Sequence, residues 1–184
     1  MTDPYFFGYG SLVNRDTHSY TQAEPAVLSG WRRVWRQTSH RALAYLSAEP
    51  CAGSQIAGLI AAVPNADWAA LDLRESGYER LRLSAGLSHA TPPKPEVAIY
   101  SVPPDPDLPP TQRHPILQSY LDVVFLGYLR EFGRDGLEQF VATTVGWDVP
   151  LLGDRENPQY PRAIAVNAAQ RRMFDDITAA LPLT

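Results

Sequence analysis

Nine prolines fall within the 25 residues 91–115, and this feature limits the fold more than any other. Proline fixes φ and carries no N–H, so such a tract supports neither a helix nor a central strand. It reads as a long loop with one strand inside it, over residues 97–102. A loop of this length serves either as a lid or as surface wrapping. It also divides the 184-residue chain into two parts of different character.

Before the proline tract the chain reads mainly as strands. Residues 5–9, Tyr-Phe-Phe-Gly-Tyr, make a short aromatic strand stopped by Gly10-Ser11. Residues 27–28 and 31–38 suggest two strand segments separated by a bend at Gly30. Residues 42–48 and 56–63 follow as further strands, with the gap near Gly53 serving as a hairpin. Asn65 is placed to cap a short helix carrying Trp68 and Leu71, which Gly77 ends. Residues 78–83 alternate as a strand does.

After the tract the pattern is helical. Ile116, Leu117, Tyr120, Leu121, Val124, Phe125, Tyr128, Leu129 and Phe132 keep helical spacing up to Gly133. A second helix runs from Asp135 or Gly136 to Thr143, and a third covers residues 168–180. Strands followed by helices predict an α+β fold. The length suits one domain over residues 1–184, with 116–184 as a helical C-terminal extension of it.

Bulk properties exclude several classes. A net charge of -4 gives no electrostatic reason to expect a nucleic-acid partner or an anionic membrane. The apolar run around residues 123–126 is far short of the roughly 20 residues a membrane span needs. The single cysteine, Cys51, excludes an internal disulfide framework. Met1-Thr2-Asp3-Pro4 lacks the basic start of a signal peptide, so a cytoplasmic location is expected.

Few residues suggest chemistry by themselves. A strand ending in Gly-Tyr-Gly-Ser exposes successive backbone N–H groups, which can form an anion-binding concavity or simply a turn. Glu75 sits where a helix runs into a glycine turn, and burial there raises a carboxyl pKa toward the range of a useful base. A surface Glu beside Arg74 is the plainer alternative. His18, His40, His89 and His114 show no paired metal-ligand spacing, and Ser11 lacks the Gly-x-Ser-x-Gly elbow of serine hydrolases. Arg32, Arg33, Arg36 and Arg41, interleaved with Trp31 and Trp35, read as solvated arginines on an amphipathic strand. Arg41 alone is singled out as turned inward toward a substrate carboxylate.

Three segments in order carry a resemblance. Tyr9-Gly10-Ser11-Leu12 is similar to the Tyr-Gly-Ser-Leu signature of the γ-glutamylcyclotransferase superfamily, with its ChaC-type, AIG2-like and γ-glutamylamine branches. Residues 30–41, Gly-Trp-Arg-Arg-Val-Trp-Arg-Gln-Thr-Ser-His-Arg, resemble a ChaC segment. Residues 71–78, Leu-Asp-Leu-Arg-Glu-Ser-Gly-Tyr, resemble the segment that holds the family's catalytic glutamate. Ala42 stands where the ChaC motif has glycine. The turn after Glu75 is one residue short, and Arg82 occupies the place of a tyrosine in other branches.

The resemblance implies a small mixed β-barrel with C-terminal helices packed on it. It implies cofactor-independent and metal-free release of 5-oxoproline from a small γ-glutamyl substrate. Glu75 would be the general acid/base, and Tyr9, Gly10, Ser11, Leu12, Arg41 and Tyr78 would bind substrate. A non-catalytic carboxylate-binding or protein-interaction module on the same fold is the alternative, though a pure anion binder has no need of Glu75. The polar segment 146–162 would either close over the pocket or pack helices onto the barrel.

Overall fold

The computed structural model describes residues 3–90, 95–109 and 111–184. Strand β1 (Tyr5–Gly8) is buried along its whole length. It lies between β3 (Arg41–Ala62), antiparallel to it, and β6 (Val97–Ser101), parallel to it. A strand covered on both sides reads as a continuous apolar run, which explains the aromatic sequence. Its side chains alternate between two cores. Tyr5 and Phe7 enter the larger one, whereas Phe6 enters a second with Leu12, Ala61, Val63, Leu71 and Tyr100. Burying each phenylalanine contributes about 1.5–3 kcal/mol.

The sheet curls into a half-barrel with the order β4-β6-β1-β3-β2-β5. Here β2 is Glu24–Thr38, β4 is Glu79–Leu83 and β5 is Leu87–Ser88. A seventh strand, β8 (Thr144–Val145), adds to β2. A separate pair joins β7 (Ile116–Leu117) to β9 (Leu151–Leu152).

Two expected breaks in the strands are not breaks. Both β2 and β3 run through Gly30 and Gly53 as one long antiparallel ribbon. Pairing passes from Ser29↔Gln55 to Trp31↔Pro50, so the Gly53 region is a bulge, and the hairpin turn lies at Ser39-His40 instead. A glycine at positive φ serves a bulge as well as a turn. Nor does Asn65 cap a helix: it sits at φ 57 in a 3-10 turn, and α1 (Ala69–Arg74) begins after Asp67, whose carboxylate accepts from the Ala69 N–H.

Helix α2 (Gln118–Thr143) is two helical segments joined at Gly133, whose φ of 67° and ψ of -170° no residue with a Cβ adopts easily. Its apolar positions, including Leu121, Val124, Phe125, Tyr128 and Phe140, join Phe7, Leu28, Trp35 and Leu59 of the sheet in the larger core. Phe174 of α3 (Ala168–Ala179) closes this core against Phe125, with ring centroids 5.5 Å apart. The solvated-arginine reading fails at Arg33, which is 1% exposed. Its guanidinium lies over the rings of Tyr128 and Phe140 and donates to Ala57 O, Thr143 Oγ and Thr144 Oγ. No described helix is long and apolar enough to cross a membrane.

Candidate active site

The loop after β1 is built to be rigid. Residues Ser11–Val13 and Arg15–Thr17 form two 3-10 turns around Asn14, which is 1% exposed. The Asn14 side chain accepts from Asp16 N–H and donates to Val123 O of α2. From behind, the Tyr128 hydroxyl lies 2.8 Å from the Tyr9 carbonyl. His18 Nε2 bonds Leu12 O while its Nδ1 accepts from Tyr20 N–H, a pattern that fits the neutral ring, and burial lowers its pKa. A methyl group at Gly10 would lie 2.8 Å from the Tyr120 hydroxyl and 3.2 Å from Leu46, so an alanine there requires both side chains to shift.

Glu75 follows α1 directly, and its side chain is 14% exposed. The α1 helix docks through Leu71 into the second core, which fixes the end of the helix from which Glu75 follows. Arg74 connects it to the loop. Its Nε donates to Glu75 Oε1 at 3.0 Å, and its other nitrogens reach Thr17 O at 2.7 Å, Thr17 Oγ1 at 3.0 Å and Ser11 Oγ at 3.3 Å. Burial pushes the Glu75 carboxyl above its ordinary 4.5, against the opposing pull of Arg74 and Arg162. A carboxylate held this way is a stronger proton acceptor than one in water.

These residues face a cavity with two compartments that share Ser11, Leu46, Glu75, Tyr78 and Tyr120. The smaller compartment, a recess of about 30 Å³, is lined by Gly8–Leu12 and Tyr100. The larger chamber, about 250 Å³, is bounded by Arg41, Tyr45, Arg74, Tyr160 and Arg162. Of the residues expected from sequence, Tyr9, Gly10, Ser11, Leu12 and Tyr78 line the recess. The Leu12 side chain, however, points into the second core. Both tyrosine hydroxyls are already committed as donors, Tyr9 to Tyr100 O at 2.6 Å and Tyr78 to Leu46 O at 3.0 Å. Arg41 stands on the rim at the hairpin end of β3, exposed, 5.5 Å from the Tyr45 ring centroid. The fully inward arginine is Arg33, which lines neither compartment.

Arg74 and Tyr120 carry no signal in the sequence that joins them to the site. Tyr120 looked like another apolar position of α2. Of the two readings of segment 146–162, closure over the pocket fits its end, where Tyr160-Pro161-Arg162 forms one wall of the larger chamber. Asp154, 6% exposed, moors this wall by accepting from Ser119 N–H, Ser119 Oγ and Gln159 N–H. Arg155 adds a bidentate pair to Asp122 of α2. Among the described residues, no three His, Cys, Asp or Glu side chains converge as a metal site would require.

Residues 6–119, more than half of the chain, match the model of the family described as gamma-glutamyl cyclotransferase, AIG2-like. A comparison with curated protein sequences finds no significant match. Among solved structures, the uncharacterized human protein loc79017 is similar, with a TM-score of 0.58 at 14% identity over 95% of this chain and 99% of that one. A structure named gamma-glutamyl cyclotransferase aligns at 0.55 and 14% identity, with the same coverage of 95% and 99%. YkqA from Bacillus subtilis reaches 0.58 at 15% identity, covering 76% of this chain and 53% of its own. Identities this low speak for the fold, and the family match over the strands, the loop and Glu75 speaks for descent. The chain belongs to the AIG2-like gamma-glutamyl cyclotransferase family.

Proposed function

We propose that this protein releases 5-oxoproline from a γ-glutamyl compound, with Glu75 as general base and then general acid. One observation carries the reading: a carboxyl with a pKa raised by burial faces the same recess as the Gly8–Leu12 backbone. In the reaction the α-nitrogen of the γ-glutamyl group attacks its own γ-carbonyl carbon. A five-membered ring closes, and the bond from that carbon to the leaving amine breaks. The α-amine begins as an ammonium, with a free pKa of about 7.7–8.0, so it must lose a proton before attacking. Glu75 takes that proton and passes it to the departing nitrogen, then relays in the same way the second proton that ring closure leaves on the attacking nitrogen, so the amine departs as an ammonium, the ring nitrogen keeps one hydrogen and the carboxylate ends as it began.

The remaining work is orientation and charge stabilisation. The substrate chain must fold back on itself, and a cavity that confines it favours that conformer. The N–H groups of Ser11 and Leu12 make no bond to the turn's own carbonyls, and that of Ser11 meets the Tyr120 hydroxyl until substrate displaces it. In this reading they hold the substrate carboxylate or the γ-carbonyl oxygen. A donor of this kind, aimed at developing charge, supplies about 2.7–4 kcal/mol elsewhere. With their protons on backbone carbonyls, Tyr9 and Tyr78 serve as walls and acceptors rather than donors. Incubation with glutathione, γ-glutamyl amino acids and γ-glutamylamines, followed by assay of 5-oxoproline, tests the reading. Release from one or more of them is expected, and none from the whole panel would overturn it.

A further inference from the structure

One fully buried charge has no part in the chemistry proposed above. Arg33 of β2 bridges β3 and the C-terminal end of α2, 1% exposed, and its partners include no carboxylate. Its Nη1 donates to Ala57 O at 3.2 Å, Nη2 to Thr143 Oγ1 at 3.1 Å and Nε to Thr144 Oγ1 at 3.2 Å. Both threonine hydroxyls give their own protons to α2 carbonyls, Gln139 O and Phe140 O, so they meet the arginine with lone pairs. The guanidinium thus sits at the negative end of a helix dipole, with Cζ 5.2 Å from the Tyr128 ring centroid and 4.7 Å from that of Phe140. Burial pulls its pKa down, but a guanidinium stays ionised even so. Apolar residues of similar volume commonly serve stability as well as a buried charge does, so packing alone is a poor reason for an arginine here.

The neighbour that Arg33 acts on is Tyr128. Its hydroxyl lies 2.8 Å from two carbonyls, Tyr9 O and Ala57 O, and has one proton to give. Arg33 already donates to Ala57 O, and its charge repels the phenolic proton from that side. The proton is therefore turned toward Tyr9 O. A hydrogen bond to a peptide oxygen draws electron density from the attached nitrogen and strengthens its N–H as a donor. The nitrogen attached to the Tyr9 carbonyl is that of Gly10, whose N–H bonds to no backbone carbonyl and whose peptide borders the recess. We infer that Arg33 is a positioning residue, acting through the Tyr128 hydroxyl and the Tyr9 carbonyl to make Gly10 N–H a stronger donor to a bound oxygen. The inference rests on the cyclotransferase reading for what occupies the recess, but the relay itself is measurable without turnover.

In a triple-resonance HNCO spectrum one peak reports the Gly10 N–H together with the Tyr9 carbonyl carbon. Tyr128→Phe should move both the carbonyl carbon and the Gly10 nitrogen upfield, as loss of a hydrogen bond at that oxygen does. Arg33→Met should move them in the same direction, Arg33→Lys should return part of the shift, and Arg33→Met should add nothing in the Tyr128→Phe background. Calorimetric binding of 5-oxoproline, the product whatever the leaving group, should weaken about 5- to 10-fold in either single variant and no further in the double variant. A Gly10 peak that stays in place in either single variant, or moves again in the double variant, would overturn the relay. Should Arg33→Met not fold, Tyr128→Phe alone still decides whether the Tyr9 carbonyl is held as described. Equally tight binding by all the variants, or losses that multiply, would overturn the role of Arg33 in the recess. The expected shifts in a protein that binds no 5-oxoproline would uphold the relay and count against the cyclotransferase reading instead.

Discussion

Arg74 Nε lies 3.0 Å from Glu75 Oε1, while the same guanidinium reaches Ser11 Oγ at 3.3 Å. One side chain thus ties the proposed base to the loop proposed to hold the substrate. Only a planar fork with several donors spans these partners at once. Arg74→Lys is expected to lower kcat/KM by about 10-fold or more, the equivalent of one charged hydrogen bond. Arg74→Ala should also destabilise the protein by about 3 kcal/mol, because Glu75 would remain buried without its partner. Thermal unfolding alongside initial rates checks both. Wild-type rates in Arg74→Lys would mean that the link has no functional role.

The raised pKa of Glu75 has consequences for rate and for stability. As a base it must be ionised, so kcat/KM should fall as pH drops through its pKa, and that midpoint should lie above 4.5. Arg74→Ala should move the midpoint higher still, since Arg74 opposes the rise. A pH–rate profile with its acid limb at or below 4.5 would contradict the assignment.

The same shift makes ionised Glu75 a burden on the fold. A carboxyl whose pKa is raised on folding contributes stability that is complete below its unfolded value of 4.5 and is lost as pH rises through the folded value. At neutral pH, Glu75→Gln should therefore be at least as stable as the wild type. Toward pH 4 the difference should shrink. Thermal unfolding from pH 4 to 8 reads this directly, and a variant markedly less stable at pH 7 would show that the Arg74 pair outweighs burial.

Gly10 is the second point where space is fixed. Gly10→Ala places a methyl 2.8 Å from the Tyr120 hydroxyl and 3.2 Å from Leu46. Overpacking of this kind costs about 1–3 kcal/mol. Since Tyr120 borders both compartments, the variant should lose substrate affinity as well as stability. Unchanged Tm and KM would mean that the helix and loop are not held against each other as described.

Much of this was legible in the sequence where the signal is local. The aromatic run at residues 5–8 gives a strand, and the periodicity from Tyr120 gives α2 with its break at Gly133, whereas Ile116 and Leu117, expected in that helix, pair with Leu151 and Leu152 as strand β7. Gly30 and Gly53 misled because a bulge and a hairpin turn both favour glycine, and only the partner strand distinguishes them. Arg33 misled for a different reason. Its acceptors and the rings above it come from Ala57, Tyr128, Phe140, Thr143 and Thr144, most of them about 100 positions away. The candidate site shows the same limit. Tyr9–Leu12 and Glu75 stood out through the resemblance, but Tyr120 and Arg162 join them only when α2 and the Asp154-moored loop fold back over the sheet.

That loop makes its own prediction. Asp154 does not line the cavity, yet its three accepted hydrogen bonds fix the segment that presents Tyr160 and Arg162. Asp154→Ala should therefore raise KM more than it lowers kcat, with a stability loss of about 2–3 kcal/mol. Steady-state kinetics separates the two effects, and a loss confined to kcat would place the loop's influence elsewhere.

The central claim is that Glu75 moves the proton. The most direct measurement is 5-oxoproline release in a single turnover by Glu75→Gln, set beside calorimetric binding of the same γ-glutamyl substrate. The account predicts a folded protein that still binds the substrate but releases 5-oxoproline at least 100-fold more slowly, consistent with the usual weight of a general base of about 10²–10⁴. Release at the wild-type rate by that variant would contradict it.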